Sequence, residues 1–126
     1  MPKKVLIIED EEIIQDLLQR RLSKEGYQVF SARDGEQGLR AMRSRQPDLI
    51  LLDIVMPKKG GLEVMEEMQK DEMLRTIPIV IISNSGQPAE LEKAKELGAR
   101  DWLIKTEFDP KEVVAKVKKQ FGESVA

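Results

Sequence analysis

The sequence predicts an α/β domain, with five parallel strands in one open sheet and five helices packed on both of its faces. Three observations lead there. Strand-like apolar runs alternate strictly with helix-like amphipathic segments over 126 residues, with short connections, the pattern of right-handed β-α-β crossovers. Val5-Leu6-Ile7-Ile8, Leu49-Ile50-Leu51-Leu52 and Ile79-Val80-Ile81-Ile82 are continuously apolar, as strands buried on both faces must be. These runs stop at Glu9-Asp10, Asp53 and Ser83, and Trp102-Leu103-Ile104 stops at Lys105. The carboxyl ends of parallel strands share one edge, so these side chains are expected to converge.

In chain order, the first strand is expected over 4–9 and the first helix over 12–24. There Ile14, Leu17, Leu18 and Leu22 form one stripe at helical spacing. Gly26 turns the chain into a second strand, 27–32, whose mixed Gln28-Val29-Phe30-Ser31-Ala32 suits a sheet edge. A helix over 35–45, a strand over 48–53, a helix over 61–71 and a strand over 78–83 follow. The fourth helix is expected over 87–97, with Gly98 at its end. The fifth strand, 101–104, is short and suits the other edge. Asp109 caps the last helix, 110–121, and Pro110 occupies its first turn. Val113, Val114, Val117 and Phe121 make its apolar stripe, and Gly122 closes it.

Composition narrows the chemistry. With 40% hydrophobic and 35% charged residues and a net charge of −2, nothing favours nucleic acid or a membrane surface. No apolar run approaches the roughly 18 residues of a membrane span. Met1-Pro2-Lys3-Lys4 leads into a short apolar run ending in Glu9 to Glu12, unlike a secretion signal, and a cytoplasmic protein is expected. The chain contains no cysteine and no histidine. Thiol nucleophiles, disulfides, serine-histidine triads and a phosphohistidine of its own are therefore excluded. Carboxylates, a hydroxyl and an ammonium gathered in one crevice make a site for a divalent cation and a phosphoryl group.

Ile7-Ile8-Glu9-Asp10-Glu11, Leu52-Asp53-Ile54-Val55-Met56-Pro57, Ile82-Ser83 and Leu97-Gly98-Ala99-Arg100-Asp101-Trp102-Leu103-Ile104-Lys105 occur in this order, each at a strand end. With these four motifs the chain resembles the receiver domain of two-component response regulators, chemotaxis regulators included, over essentially its whole length. The resemblance implies a flavodoxin-like doubly wound sheet of order 2-1-3-4-5. It also implies a single receiver domain over 1–126 with no output domain. A topological switch point between strands one and three would carry Asp10 and Asp53.

The resemblance also implies roles. Asp53 matches the phosphoacceptor, a carboxylate already ionised and needing no base. Glu9 and Asp10 match the acidic pair that holds Mg²⁺ or Mn²⁺. Asp10 and Asp53 would ligate directly, Val55 through its backbone carbonyl, and Glu9 partly through water. Without metal these carboxylates repel one another, which raises carboxylate pKa values. Lys105 matches the lysine that pairs with Asp53 and later with a phosphoryl oxygen, and Ser83 the hydroxyl that swings toward the phosphate. Trp102 stands at the aromatic switch position, with an indole bulkier than the usual phenol. Packing of an edge by that indole is the plainer alternative. Glu11 and Glu12 read as acids that complement the start of the first helix.

Three positions depart from the family pattern. Thr106 replaces the proline after the lysine, which predicts a trans Lys105–Thr106 bond and a rearranged loop through Glu107 and Phe108. Val55 offers no polar side chain to orient water, which predicts slow autodephosphorylation. Asn84 replaces a small residue beside the site.

The implied donor is a histidine kinase or phosphotransfer protein docking on the first helix, where Ile13 is either a partner contact or a core-edge residue. The implied output is a downstream protein target or a homodimer through the face of the fourth helix, fifth strand and fifth helix. Lys111, Lys116, Lys118 and Lys119 make the last helix basic, but direct nucleic-acid binding is not expected, since lysines suit helix carboxyl ends anyway. No separate substrate is turned over beyond the domain's own phosphorylation and its slow reversal. The alternative function is a pseudo-receiver, a protein-binding scaffold that is never phosphorylated. A flavodoxin-type phosphate cradle is disfavoured by the acids Glu9 to Glu12. A haloacid dehalogenase-type phosphatase would want an acid where Val55 stands.

Overall fold

A computed structural model describes residues 2–56, 58–83, 88–105 and 109–123. Strands and helices alternate as β1 (Lys4–Ile8), α1 (Glu12–Lys24), β2 (Gln28–Ala32), α2 (Gly35–Arg45) and β3 (Leu49–Asp53). α3 (Gly61–Gln69), β4 (Ile79–Ser83), α4 (Pro88–Glu96), β5 (Ala99–Ile104) and α5 (Pro110–Gln120) follow. The strands form one parallel sheet of order β2-β1-β3-β4-β5. The flavodoxin-like order implied by the motifs is the observed one.

Burial follows strand position. β3 and β4 are buried along their whole length and β1 over all but Lys4, whereas β2 and β5 are exposed or half-buried except at Ala32 and Leu103. Successive side chains of a strand point to opposite faces, so the continuous runs feed two cores. Leu6, Ile8, Ile50, Leu52 and Ile81 pack under α2, α3 and α4 with Met42, Val64, Met65, Met68 and Ala94. Val5, Ile7, Leu49, Leu51, Val80 and Ile82 pack under α1 and α5 with Leu18, Leu22, Val113, Val114 and Val117.

Several element ends shift by a single residue from expectation, two boundaries shift by two, and one stripe differs. β5 begins at Ala99 rather than 101, because a register irregularity opposite Ile79 and Val80 lets Ala99 pair with Ile79 and Asp101 with Val80. α3 stops at Gln69, where the Lys70 N–H turns back to the Glu67 carbonyl and the Asp71 N–H to the Met68 carbonyl. Leu17 is 43% exposed, while Leu18 and Leu22 are buried. It lies on a separate ridge with Ile13, one turn away and 85% exposed.

Close packing beneath β3 positions the site. α3 starts directly under the end of the strand, with the Gly61 N–H donating to the Ile54 carbonyl at 2.8 Å. A Cβ on Gly61 would lie 2.5 Å from the Asp53 carbonyl oxygen and 2.8 Å from Ile54 Cα. Only glycine permits that approach.

Candidate metal and phosphoryl site

The carboxyl ends of β1, β3 and β4 bring the expected residues to one edge. Glu9 and Asp10 follow β1 directly, and as consecutive residues they part, Glu9 buried and Asp10 exposed. Asp53 ends β3 and is buried. One carboxylate oxygen from each of Glu9, Asp10 and Asp53 lies within 4.8 Å of the others.

Lys105 reaches into this group from just beyond β5. Its Nζ stands 2.9 Å from Asp53 Oδ2, 2.9 Å from Glu9 Oε1 and 3.0 Å from Glu11 Oε1, with the side chain only 5% exposed. The Lys105 N–H donates to the Ser83 carbonyl at 2.6 Å, which ties the lysine's backbone to the end of β4. Ser83 is buried there, one residue past Ile82, the register partner of Asp53. The other Asp53 oxygen, Oδ1, accepts from the Val55 N–H at 3.2 Å. Both oxygens of the carboxylate are thus engaged, and its plane is fixed.

Titration reflects this crowding. Burial raises the Glu9 pKa from 4.5 to about 7. The Glu11 N–H and Lys105 hydrogen bonds oppose the rise, and neighbouring Asp53 adds to it. Desolvation, more than the expected mutual repulsion, is therefore the leading cause. Burial pulls the Lys105 ammonium down, but its hydrogen bonds to Glu9, Asp53 and Glu11 overcome that and leave it above the ordinary lysine value.

The donor set suits a hard divalent cation, since every candidate ligand is an oxygen. Glu9 Oε1 is buried without a hydrogen-bond partner. Its 2.9 Å contact with Lys105 Nζ is an ion contact outside hydrogen-bonding geometry, so a buried anionic oxygen remains available for a cation.

Two participants differ from the sequence reading. Glu11 is more than an acid at a helix start, because its carboxylate pairs with Lys105. Glu12 does stay peripheral, 3.6 Å from Arg33 at the surface. Gln15 carried no sequence signal, yet its Nε2 donates to the Glu9 and Ala32 carbonyls at 3.1 and 3.2 Å and staples the ends of β1 and β2. Trp102 lies away from the acids on β5, 45% exposed. Asn84, Glu107, Phe108 and the Lys105–Thr106 bond lie outside the described residues. A mainly apolar cavity of about 440 Å³, lined by Met42, Pro47, Met73, Leu74 and Ile77 with Arg43, Gln46 and Asp71, sits at the opposite ends of the strands and touches none of these side chains.

Residues 5–118 match the family model described as the response regulator receiver domain. The alkaline phosphatase synthesis transcriptional regulatory protein PhoP of Bacillus subtilis is 39% identical over 118 residues, covering 94% of this chain and 48% of that protein. A probable transcriptional regulator, ycf27 of Guillardia theta, is 40% identical over 116 residues, covering 92% of this chain and 44% of its own length. The chain thus spans about half the length of the curated relatives it matches. Among solved structures, the Vibrio cholerae chemotaxis protein CheY4 superposes with a TM-score of 0.89 at 26% identity, covering 94% of this chain and 98% of that one. The receiver domain of the Pseudomonas aeruginosa sensor histidine kinase PA1611, solved with magnesium coordinated in its active-site cleft, superposes with a TM-score of 0.87 at 25% identity. It covers 98% of this chain and 100% of that one.

Proposed function

This chain belongs to the response regulator receiver family, the phospho-accepting domains of two-component signalling, and we propose that Asp53 is its phosphoacceptor. The observation that carries the assignment is the position of Asp53. It is a buried carboxylate held 2.9 Å from a lysine ammonium and beside two further acids.

Receivers bind Mg²⁺ in their active sites, and Asp10, Asp53, Glu9 and the Val55 backbone carbonyl are the groups that would hold it here, with Mn²⁺ as a substitute. When bound, the cation offsets the charge that gathers on the transferring phosphoryl oxygens. In the reaction, an Asp53 carboxylate oxygen forms a bond to phosphorus as the bond from phosphorus to the donor nitrogen breaks. The electron pair leaves with the donor's imidazole. No base is needed, because Asp53 is the nucleophile in its ionised form.

The chain's contribution is to position and neutralise. The Val55 N–H and Lys105 fix the plane of the Asp53 carboxylate. Lys105 is a compact cation able to follow charge from the carboxylate to a phosphoryl oxygen. Ser83, buried at the end of β4, supplies the hydroxyl that answers the phosphate.

Receiver domains work with histidine kinases and with downstream effectors. For this chain the donor is a histidine kinase or phosphotransfer protein acting at α1. The response leaves through α4, β5 and α5, with Trp102 as the switch, toward a protein target or a second copy. The acyl phosphate is then lost slowly by the domain's own hydrolysis.

Intact-mass measurement after incubation with acetyl phosphate and Mg²⁺ tests the assignment. One added phosphoryl group is expected in the native chain, none in Asp53→Asn and little in Asp10→Ala. An Asp53→Asn chain that labels like the native one would end it. A native chain that never labels would leave the scaffold reading.

A further inference from the structure

Trp102, the one tryptophan of the chain, is held by an ion pair outside the phosphoryl site. Asp101 Oδ1 accepts from the Trp102 N–H at 2.8 Å and from Lys116 Nζ at 2.8 Å. The same ammonium donates to the Trp102 carbonyl and stands 5.8 Å from the centroid of the indole. β5 pairs only with β4 among the described strands. The Asp101–Lys116 pair therefore ties down both backbone polar groups of Trp102 at the edge strand of the sheet.

With its backbone tied in this way, Trp102 changes position mainly by rotating its side chain. Two surroundings compete for the ring. Outward, the indole lies under the Lys116 ammonium, a favourable electrostatic contact with the ring face. Inward lies a cavity of about 170 Å³ between α4 and β5, bordered by the apolar Ile81, Leu91, Ala94 and Ala99 and by the charged Lys95, Arg100 and Asp101. The present position, 45% exposed, leaves much of the indole's apolar surface in water. Burying the ring would be favourable, and the ammonium opposes it. A lysine on an ordinary solvated helix face would not direct its charge at the carboxylate, carbonyl and ring of two consecutive residues.

We propose that Lys116 is a positioning residue for Trp102, its ammonium anchored by Asp101 and holding the indole outward against entry into the cavity between α4 and β5. This deepens the reading of Trp102 as the switch and rests on it for its signalling meaning. Loss of the charge should change the outward-to-inward ratio by about two- to fivefold, the range of an exposed cation–π contact.

The single indole is its own reporter. In the unphosphorylated chain, Lys116→Met should shift the emission to shorter wavelength and lower the acrylamide quenching constant. Lys116→Arg, which keeps a cation over the ring, should retain the native values. Lys118→Met, on the same helix as Lys116 but paired with Glu25 at the end of α1, should also leave them unchanged. Cooperative thermal melts of each variant establish that the fold is kept. Native emission and quenching in Lys116→Met would overturn the proposal. A shift in Lys116→Arg as large as in Lys116→Met would overturn it too, since charge would then not be the cause. The native chain's response to acetyl phosphate tests the switch reading separately. An unresponsive signal there would remove the switch, while the Lys116 contrast would still stand or fall on its own.

Discussion

Lys105 Nζ lies 2.9 Å from Glu9 Oε1, an ion pair buried on both sides. Glu9 carries the raised titration of this site, from 4.5 to about 7, caused first by its burial. The sign follows directly. Between those values the folded chain holds a proton that the unfolded chain has released, so stability falls as pH rises through that window. Below it the cost is absent, and above it the cost is fully present. In metal-free buffer, the melting temperature of native protein should fall more between pH 5 and 7.5 than that of Glu9→Gln. Bound Mg²⁺ requires the ionised carboxylate, so its apparent affinity should weaken below about pH 7. Calorimetric titration at three pH values checks this, and equal slopes in both proteins would refute it.

Lys105 is the shared counter-ion of three acids. Removing one partner of a buried ion pair leaves charge uncompensated, which costs about 3 kcal/mol. Lys105→Ala should lose about that much stability in denaturant titrations without metal. Saturating Mg²⁺ should restore more stability to the variant than it adds to the native chain, because the cation then has uncompensated acids to neutralise. Equal gains would show that Lys105 does not balance these carboxylates.

The Val55 side chain is 60% exposed while its N–H holds Asp53 Oδ1. The side chain therefore offers a water near Asp53 no polar partner. Val55→Asn changes little packing, so stability should stay within about 0.5 kcal/mol. Loss of the phosphoryl group, followed by intact mass after removal of acetyl phosphate, should become severalfold faster. An unchanged lifetime would assign slow hydrolysis to some other group.

Glycines at the site and away from it should respond differently. Gly61→Ala drives a methyl against the Asp53 carbonyl at 2.5 Å, backbone that cannot yield. A cost of up to about 3 kcal/mol is expected, together with slower labelling of Asp53. Gly26 has open space around it but a φ of +96°, so Gly26→Ala should cost about 1–2 kcal/mol and label normally. Labelling that falls equally in both would tie it to stability alone.

The sequence reveals features that repeat locally and hides those that depend on distant contacts. Two-sided burial of β1, β3 and β4 was legible because it demands unbroken apolar runs. The convergence of Asp10, Asp53 and Lys105 followed from strand polarity. Glu11 stands at a helix start, which accounts for an acid without a tertiary partner, and nothing local signals its pairing with Lys105, far away in the chain. Gln15 bonds to backbone carbonyls, which any sequence provides. Ala99 and Arg100 carry no run of apolar residues to mark a strand, and they join β5 only through a register irregularity in its pairing with β4. Leu17 fitted a helical stripe, but the stripe's width on α1 is set by what packs above it, and there Ile14, Leu18 and Leu22 suffice.

Ile13 and Leu17, one turn apart, leave an apolar ridge on α1 exposed beside the acids. A phosphotransfer protein must bring its histidine within bonding distance of Asp53, and such contact requires surface that a small donor does not. Acetyl phosphate needs only the pocket. Ile13→Glu should therefore leave labelling by acetyl phosphate unchanged, since the side chain is 85% exposed and contributes little to the core. Transfer from a phosphorylated kinase or phosphotransfer domain should fall at least tenfold, with the loss appearing at low donor concentration and shrinking as the donor approaches saturation. A change that persists at saturation would place Ile13 in the chemistry, and no change with either donor would leave Ile13 an exposed apolar residue with no part in docking.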